Sequence, residues 1–420
     1  MQERLLQFIW QEKYFNLADL FTVTGERLII QEGGVFNTHQ GPDFIHARIS
    51  LDGTCWAGNI ELHIKSSHWY QHRHQADPNY RNIILHVVWE DDAPELSRTL
   101  PTLVLQDRVP SIMLKLYSDL MQQGPVIACQ HLLHNVPPAV WIHWKKDLLL
   151  QRLQRKANMV LDLLKEAQNH WEECTWWWLA RHFGGPVNAA FFEQIARSIP
   201  TKLLARHRNQ VIRLEALLLG QANLISASNS DPYVQLLQRE FQYLAGKYSL
   251  PKIHGQAQKL RMRPAAFPEV RLAQLAMLLH RSGQLHRNLI EISHLHELQA
   301  MLDVTANDFW HYHYTLEEAT PFHPKHIGQE LVQQLIINGF VPLVFAAGAR
   351  QQQPWLQQRA QSWLEQIATE QNSLLRTWHR AGIAMANAAE SQALTELNKC
   401  YCSAKRCLDC EVGKFLLNRQ

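Results

Sequence analysis

The apolar residues of this chain change their spacing once, and that change fixes its fold class. From about residue 22 to 108 the runs are short, alternating or broken by Gly, Asp and Pro: ERLIIQEGG, FIHARISLDGTCWAGNIELHIKS, NIILHVVWEDD and TLVLQD. Strands produce this pattern because successive side chains point to opposite faces. From Val140 onward, VWIHWKKDLLLQRLQRKANMVLDLLKEAQNHWEE places its apolar residues three and four apart, which is helical spacing sustained over about nine turns. Gln-, Ala- and Leu-rich segments continue to residue 395 without a fixed-period repeat, so a solenoid is not expected. The prediction is an α+β protein, with a small mixed α/β N-terminal domain followed by a large all-α region. Residues 1–15 predict an amphipathic helix carrying Leu5, Leu6, Ile9 and Trp10 on one side. Asp52-Gly53 predicts a hairpin, since that pair supplies the positive φ angles of a tight turn. The expected segments are 1–115, a linker over 116–137 ending in the Pro137-Pro138 pair, a helical domain over 138–395, and a cysteine-bearing segment over 396–420. At 420 residues the chain suits more than one core, since single cores seldom grow past roughly 250–300 residues.

Composition narrows the function classes. A hydrophobic content of 46% with 19% charged residues is that of a folded chain rather than a disordered one. The formal net charge of +3 gives no general attraction to polyanions, so any nucleic-acid contact must use a local patch. The N-terminus MQERLLQFIWQEKYF has charges every few residues where a secretory signal would be uninterrupted and apolar. No run approaches the roughly 18 apolar residues of a membrane span, and the expectation is a cytoplasmic protein without a membrane. Seven cysteines in so long a chain do not make a disulfide scaffold.

The chemistry-bearing residues concentrate in GPDFIHARISLDGTCWAGNIELHIKSS, residues 41–67. If 59–65 is a strand, Ile60, Leu62 and Ile64 face a core while Glu61, His63 and Lys65 share the other face. Asp43 and Glu61 on neighbouring strands are candidate ligands for Mg²⁺ or Mn²⁺, hard cations that take oxygen donors. Such an ion activates a water and neutralises phosphate charge, and Lys65 would stabilise the negative charge that develops. The competing reading is that Asp43 caps a turn and that Glu61 and Lys65 form a solvated strand face. Seven histidines lie between residues 39 and 86: His39, His46, His63, His68, His72, His74 and His86. Imidazole is a common zinc ligand, but their spacing matches no established zinc signature, and core histidines held by hydrogen bonds are the favoured reading.

Pro42-Asp43, followed by Glu61 and Lys65, resembles the motif of the restriction-endonuclease-like nucleases: Pro-Asp, then Asp or Glu, any residue, Lys, with a further acid sometimes supplied by a preceding helix. The resemblance implies a metal-dependent nuclease acting on DNA or RNA, with Glu3 or Glu12 as the extra carboxylate. The second half departs from the motif. In Glu61-Leu62-His63-Ile64-Lys65, either the lysine comes two places late or His63 stands where the acid should be. The alternative is therefore a nuclease-like fold without the chemistry, serving as a binding or assembly module. Across nearly its whole length the chain also resembles a bacterial family known as a domain of unknown function, through GPDFIHARI, WAGNIELHIKSSHW, FGGPVNAAFFEQIARSIP, RMRPAAFPEVRLAQLA and YCSAKRCLDCEVG.

KCYCSAKRCLDCEVG places Cys400, Cys402, Cys407 and Cys410 within eleven residues. A Cys-x₂-Cys unit lets two thiolates converge on one ion, and the upstream pair can complete a tetrahedral set for zinc or hold an iron–sulfur cluster. Because only one residue separates Cys400 from Cys402, the fourth ligand is alternatively a distant Cys129 or Cys174. Within the superfamily named above, some nucleases carry an iron–sulfur staple made by one early and three late cysteines, and the layout is compatible with that. Reduced cysteines packed in a helix pair are the competing reading.

Overall fold

A computed structural model of the chain describes residues 1–122, 126–226, 229–260 and 262–418. It divides into two compact units, Met1–Trp144 with Leu397–Gln420, and Lys145–Glu396. The α+β class expected from the spacing change holds, but the segment boundaries differ. The cysteine-bearing segment does not stand apart: Leu408 and Leu417 are buried in the core of the first unit. The expected linker 116–137 includes the end of a helix, Ser111–Met121, and a 3₁₀ turn, Gln130–Asn135, while residues 123–125 lie outside the described residues.

The first unit is built on a seven-stranded mixed sheet. Its strands are β1 (Leu20–Phe21), β2 (Arg27–Glu32), β3 (Val35–Phe36), β4 (Phe44–Leu51), β5 (Thr54–Lys65), β6 (Ile83–Glu90) and β7 (Thr102–Val104). The spatial order is β1-β2-β4-β5-β6-β7, with β3 paired to β4. β2, β4 and β5 form an antiparallel meander, whereas β6 runs parallel to β5 and β7 parallel to β6. The β4–β5 turn is the expected one, with Asp52 at φ 45° and Gly53 at φ 85°. β6 is buried at five consecutive positions, Ile84 to Val88, as befits a strand with parallel neighbours on both sides. Gly58 allows β5 to meet the approach to β6, since a Cβ there would lie 2.7 Å from the Asn82 carbonyl oxygen.

Helix α1 (Glu3–Gln11) buries Leu5, Leu6, Phe8, Ile9 and Trp10, and these pack with Phe44, Ile60, Leu62, Leu85 and Val87 in one core. Trp10 Nε1 donates to the Gly33 carbonyl at 2.9 Å, which ties the helix to the β2–β3 turn. A parallel β5–β6 pair needs a crossover. Residues 66–82 supply it through a short helix, α2 (His68–Gln71), and two 3₁₀ turns, His74–Ala76 and Pro78–Tyr80. Its start is pinned by Ser66, fully buried, whose hydroxyl donates to Asp91 at 2.5 Å and accepts the Asp92 and Ala93 N–H groups at 2.9 Å each.

The second unit is helical. Its core takes Trp176 and Trp178 of the run Trp176-Trp177-Trp178, whose indole N–H groups donate to the carbonyls of Ala196 and Ile199 and of Gly339. The helix Gln329–Arg350 is long and apolar enough to span a bilayer, yet most of it is buried inside this unit. The buried Glu396 is paired, accepting from Arg152 at 3.1 Å and from Arg155 at 2.6 Å.

Leu62 is fully buried beneath α1 on the apolar side of β5. Leu62→Ala is expected to lower the unfolding free energy of the first unit by about 2–5 kcal/mol, while Ile29→Ala, at a position 52% exposed, changes it by less than about 0.5 kcal/mol. Denaturant titration of both variants checks the assignment of the core face.

Candidate metal site

The register of β4 on β5 places the two acids. Phe44 pairs with Ile60 and Ala47 with Gly58, so β4 carries one extra residue between them. This bulge includes His46 at φ 60° and bends the strand beside the site. One step beyond the Phe44–Ile60 pair, Asp43 stands opposite Glu61. The acids then exchange partners across the strands: the Asp43 N–H donates to Glu61 Oε2 at 3.0 Å, and the Leu62 N–H donates to Asp43 Oδ2 at 3.1 Å. From α1, Gln7 Nε2 donates to Asp43 Oδ1 at 2.8 Å.

These carboxyls are electrostatically uncomfortable. Burial, opposed by the Leu62 N–H and reinforced by the charge of Glu3, raises the Asp43 pKa to about 7. Burial and then the Asp43 charge raise that of Glu61 to about 9, with Glu3 adding to the effect. Of the two helix acids offered by the sequence, Glu3 is thus the one that both carboxyls feel. Desolvated like charges are the arrangement a bound cation relieves.

The crossover brings imidazoles to the same face of β5. His63 Nδ1 lies 2.9 Å from His86 Nε2, and His63 Nε2 lies 3.1 Å from His72 Nδ1, with one nitrogen of each pair carrying the proton. The carboxylate oxygen Glu61 Oε1 is 3.3 Å from His74 Nε2 and 3.7 Å from His63 Nε2. The metal-binding nitrogens of His63, His72 and His74 all lie within 4.8 Å of one another. Burial, then repulsion by His86 and the other imidazoles, lowers the His63 pKa to about 2. Burial likewise lowers that of His86 to about 4 and lowers that of His74. These three rings are neutral at neutral pH, the form in which imidazole ligates.

Lys65 is placed elsewhere. Its ammonium is 3.7 Å from Glu90 and 3.9 Å from Asp92, in the polar network at the strand ends. His63, and not Lys65, is therefore the side chain beside Glu61 on this face. Sequence reasoning set aside His72 and His74 because metal-site spacings are learned from ligands on one local motif. Here β5 supplies one imidazole and the crossover two. The available signal was HWYQHRH, three histidines within seven residues next to a polar strand face.

At the other end of the chain, Cys402, Cys407 and Cys410 lie near Cys129. Burial raises the Cys129 pKa to about 12, and the charges of Cys410 and Cys407 add to the rise. Burial also raises Cys402, which feels Cys410, Cys129 and Cys407 in turn. Cys407 rises to about 11 through burial and then Cys410. Cys400 is half-buried in the helical turn Asn398–Cys402. Cys174 belongs to the second unit, where its thiol donates to the Val160 carbonyl.

The carboxyl shifts have a definite sign. A folded-state pKa raised above its unfolded value contributes stability that is fully present below the unfolded pKa and is lost as pH rises through the folded one. Between pH 7 and 9 the unfolded carboxyls are already ionised, and the buried thiols, also raised, add a loss of their own near pH 9, so it is the difference from Glu61→Gln that reports the acid. In EDTA the first unit is expected to lose stability over this window, and Glu61→Gln to flatten the loss by at least about 1.4 kcal/mol, one pKa unit's worth. Saturating Mn²⁺ should flatten it as well. Thermal unfolding at pH 7, 8 and 9 decides, and equal slopes for the natural protein and Glu61→Gln would refute the assignment.

Among curated proteins and solved structures, none matches the chain. A family model does, over residues 3–373 of 420, and by that match the chain belongs to the family described as protein of unknown function (DUF2851).

Proposed function

We propose that this protein is a metal-dependent nuclease that hydrolyses DNA or RNA phosphodiester bonds at Asp43 and Glu61. The observation that carries the reading is the reciprocal cross-strand arrangement, which holds the buried Glu61 and half-buried Asp43 carboxylates opposite each other under the charge of Glu3. Helix α1, which carries Glu3, precedes the two neighbouring strands that bear the acids.

A divalent Mg²⁺ or Mn²⁺ at these oxygens supplies Lewis acidity towards the phosphate and an activated water. The chain supplies the rest. Gln7 and the Leu62 N–H fix the two oxygens of Asp43, and the Asp43 N–H fixes one oxygen of Glu61, so the acids need little reorganisation. A neutral His63 replaces the cationic lysine of the motif and brings no charge of its own.

A second, structural centre is part of the same proposal. Zinc or an iron–sulfur cluster at Cys402, Cys407 and Cys410, with Cys129 or Cys400 as the fourth ligand, would tie the C-terminal segment to the core that Cys129 and Cys407 adjoin. A cytoplasmic setting suits thiols that must stay reduced.

Cleavage of single- and double-stranded DNA and RNA with Mn²⁺ or Mg²⁺ tests the function. Asp43→Asn and Glu61→Gln are expected to lose roughly a hundredfold or more in rate, the consequence of losing about 2.7 kcal/mol of transition-state stabilisation. No cleavage by the natural protein, or equal cleavage by folded variants, would favour the binding or assembly module instead. Zinc and iron analysis of the purified protein and of Cys407→Ser and Cys410→Ser checks the second centre, with loss of a stoichiometric metal in both variants expected.

A further inference from the structure

We infer that His63, His72 and His74, together with Glu61 Oε1, form a separate transition-metal site beside the Asp43–Glu61 pair, with Glu61 shared between the two. The imidazole site stands on its own geometry. Only the sharing of Glu61 rests on the function proposed above.

Three of the separations between donor atoms are close to those of a coordination shell. Zinc–nitrogen bonds of about 2.0–2.1 Å in a tetrahedron place neighbouring donors about 3.3 Å apart. Here His63 Nε2 and His72 Nδ1 are 3.1 Å apart, His74 Nε2 and Glu61 Oε1 are 3.3 Å apart, and His63 Nε2 and Glu61 Oε1 are 3.7 Å apart. The three imidazole nitrogens lie within 4.8 Å of one another, and Glu61 Oε1 lies beside two of them, those of His74 and His63.

An unsatisfied group points into the same space. His74 is 9% exposed, and its Nε2 is buried without a hydrogen bond among the described residues, although a carboxylate oxygen lies 3.3 Å away. A buried polar atom left unpaired costs about 1–3 kcal/mol. A cation accepting its lone pair removes that cost and explains the aim of the ring towards Glu61.

The ligands are held in place from behind. His63 presents Nε2 because His86 occupies its Nδ1 at 2.9 Å. The His74 ring stacks on Tyr80 with centroids 3.8 Å apart, and the edge of Trp69 meets it at 5.3 Å. Such outer contacts fix ring orientation at metal centres. His72 is exposed, so the shell opens to solvent on its side, where water or a substrate oxygen can enter.

The donor set decides the class of ion. Three imidazoles and one carboxylate suit zinc, manganese, iron or cobalt, whereas magnesium and calcium select oxygen. Glu61 presents Oε1 to the imidazoles while Oε2 accepts the Asp43 N–H. One carboxylate thus faces both sites, as the bridging acids of two-metal hydrolases do.

Titrating metal-free protein with Co²⁺ reads this site without reference to cleavage. Nitrogen- and oxygen-bound cobalt gives visible d–d bands, and cobalt bound to the C-terminal thiols is told apart by its intense near-ultraviolet charge-transfer absorption. The natural protein is expected to show the visible bands without the thiolate feature scaling with them. His74→Ala, and His72→Ala at the exposed position where misfolding is not at issue, are expected to weaken cobalt binding at least tenfold to a hundredfold. Asp43→Asn is expected to keep the bands. Absence of visible bands in the natural protein, or bands unchanged in folded His72→Ala and His74→Ala, would overturn the inference. If the bands appear while cleavage is absent in every metal, the imidazole site stands and the nuclease reading falls.

Discussion

Two backbone N–H groups, those of Asp43 and Leu62, hold the carboxylates of Glu61 and Asp43 in place across β4 and β5. Everything notable about the first unit is arranged around that exchange. It requires the antiparallel register in which Asp43 meets Glu61, and the extra residue around His46 lets this register coexist with the Ala47–Gly58 pairing further along. It also requires the strands to be buried on the far side by Ile60 and Leu62 against α1, because solvent-exposed acids would separate. The result is costly in isolation, since each pKa unit of upward shift corresponds to about 1.4 kcal/mol against the ionised form. Local arrangements that oppose stability mark functional positions more often than structural ones.

The histidines follow from the sheet topology. A parallel β5–β6 pair forces the chain to cross over one face of the sheet, and the crossover comes down on the side where Glu61 and His63 lie. His86, paired with Glu61 in the β5–β6 register, completes the wall. Ser66 and Asp91–Ala93 clamp the start of the crossover to the end of β6, and the same strand-end network holds Lys65 through Glu90 and Asp92. Lys65 is thus held by other acids, and neutral imidazole stands beside Glu61.

Much of the fold was legible because spacing reports burial directly. The α+β division, the Asp52-Gly53 turn and the amphipathic first helix all rest on local rules that tertiary packing here does not oppose. Asp43 and Glu61 were legible as a pair because Pro-Asp precedes a strand and Glu61 alternates with buried Ile60 and Leu62. Lys65 was misplaced for an instructive reason: period-two alternation gives the face of a residue but not how far along the strand a site extends. His72 and His74 were weighed as ligands and set aside, because their convergence with His63 depends on a crossover whose path no local rule describes. The same limit applies to Cys129, more than 270 positions from Cys402 in sequence, and to the C-terminal segment, whose place in the core of the first unit is a long-range packing outcome.

The nuclease proposal stands on the Asp43–Glu61 pair binding a cation. Crystals grown or soaked with Mn²⁺ and measured for anomalous scattering test it most directly. An anomalous peak within coordination distance of both carboxylates, lost in Asp43→Asn crystals, is the expected result. Carboxylates that stay hydrogen-bonded as they are here, with no peak beside them at saturating Mn²⁺, would contradict it.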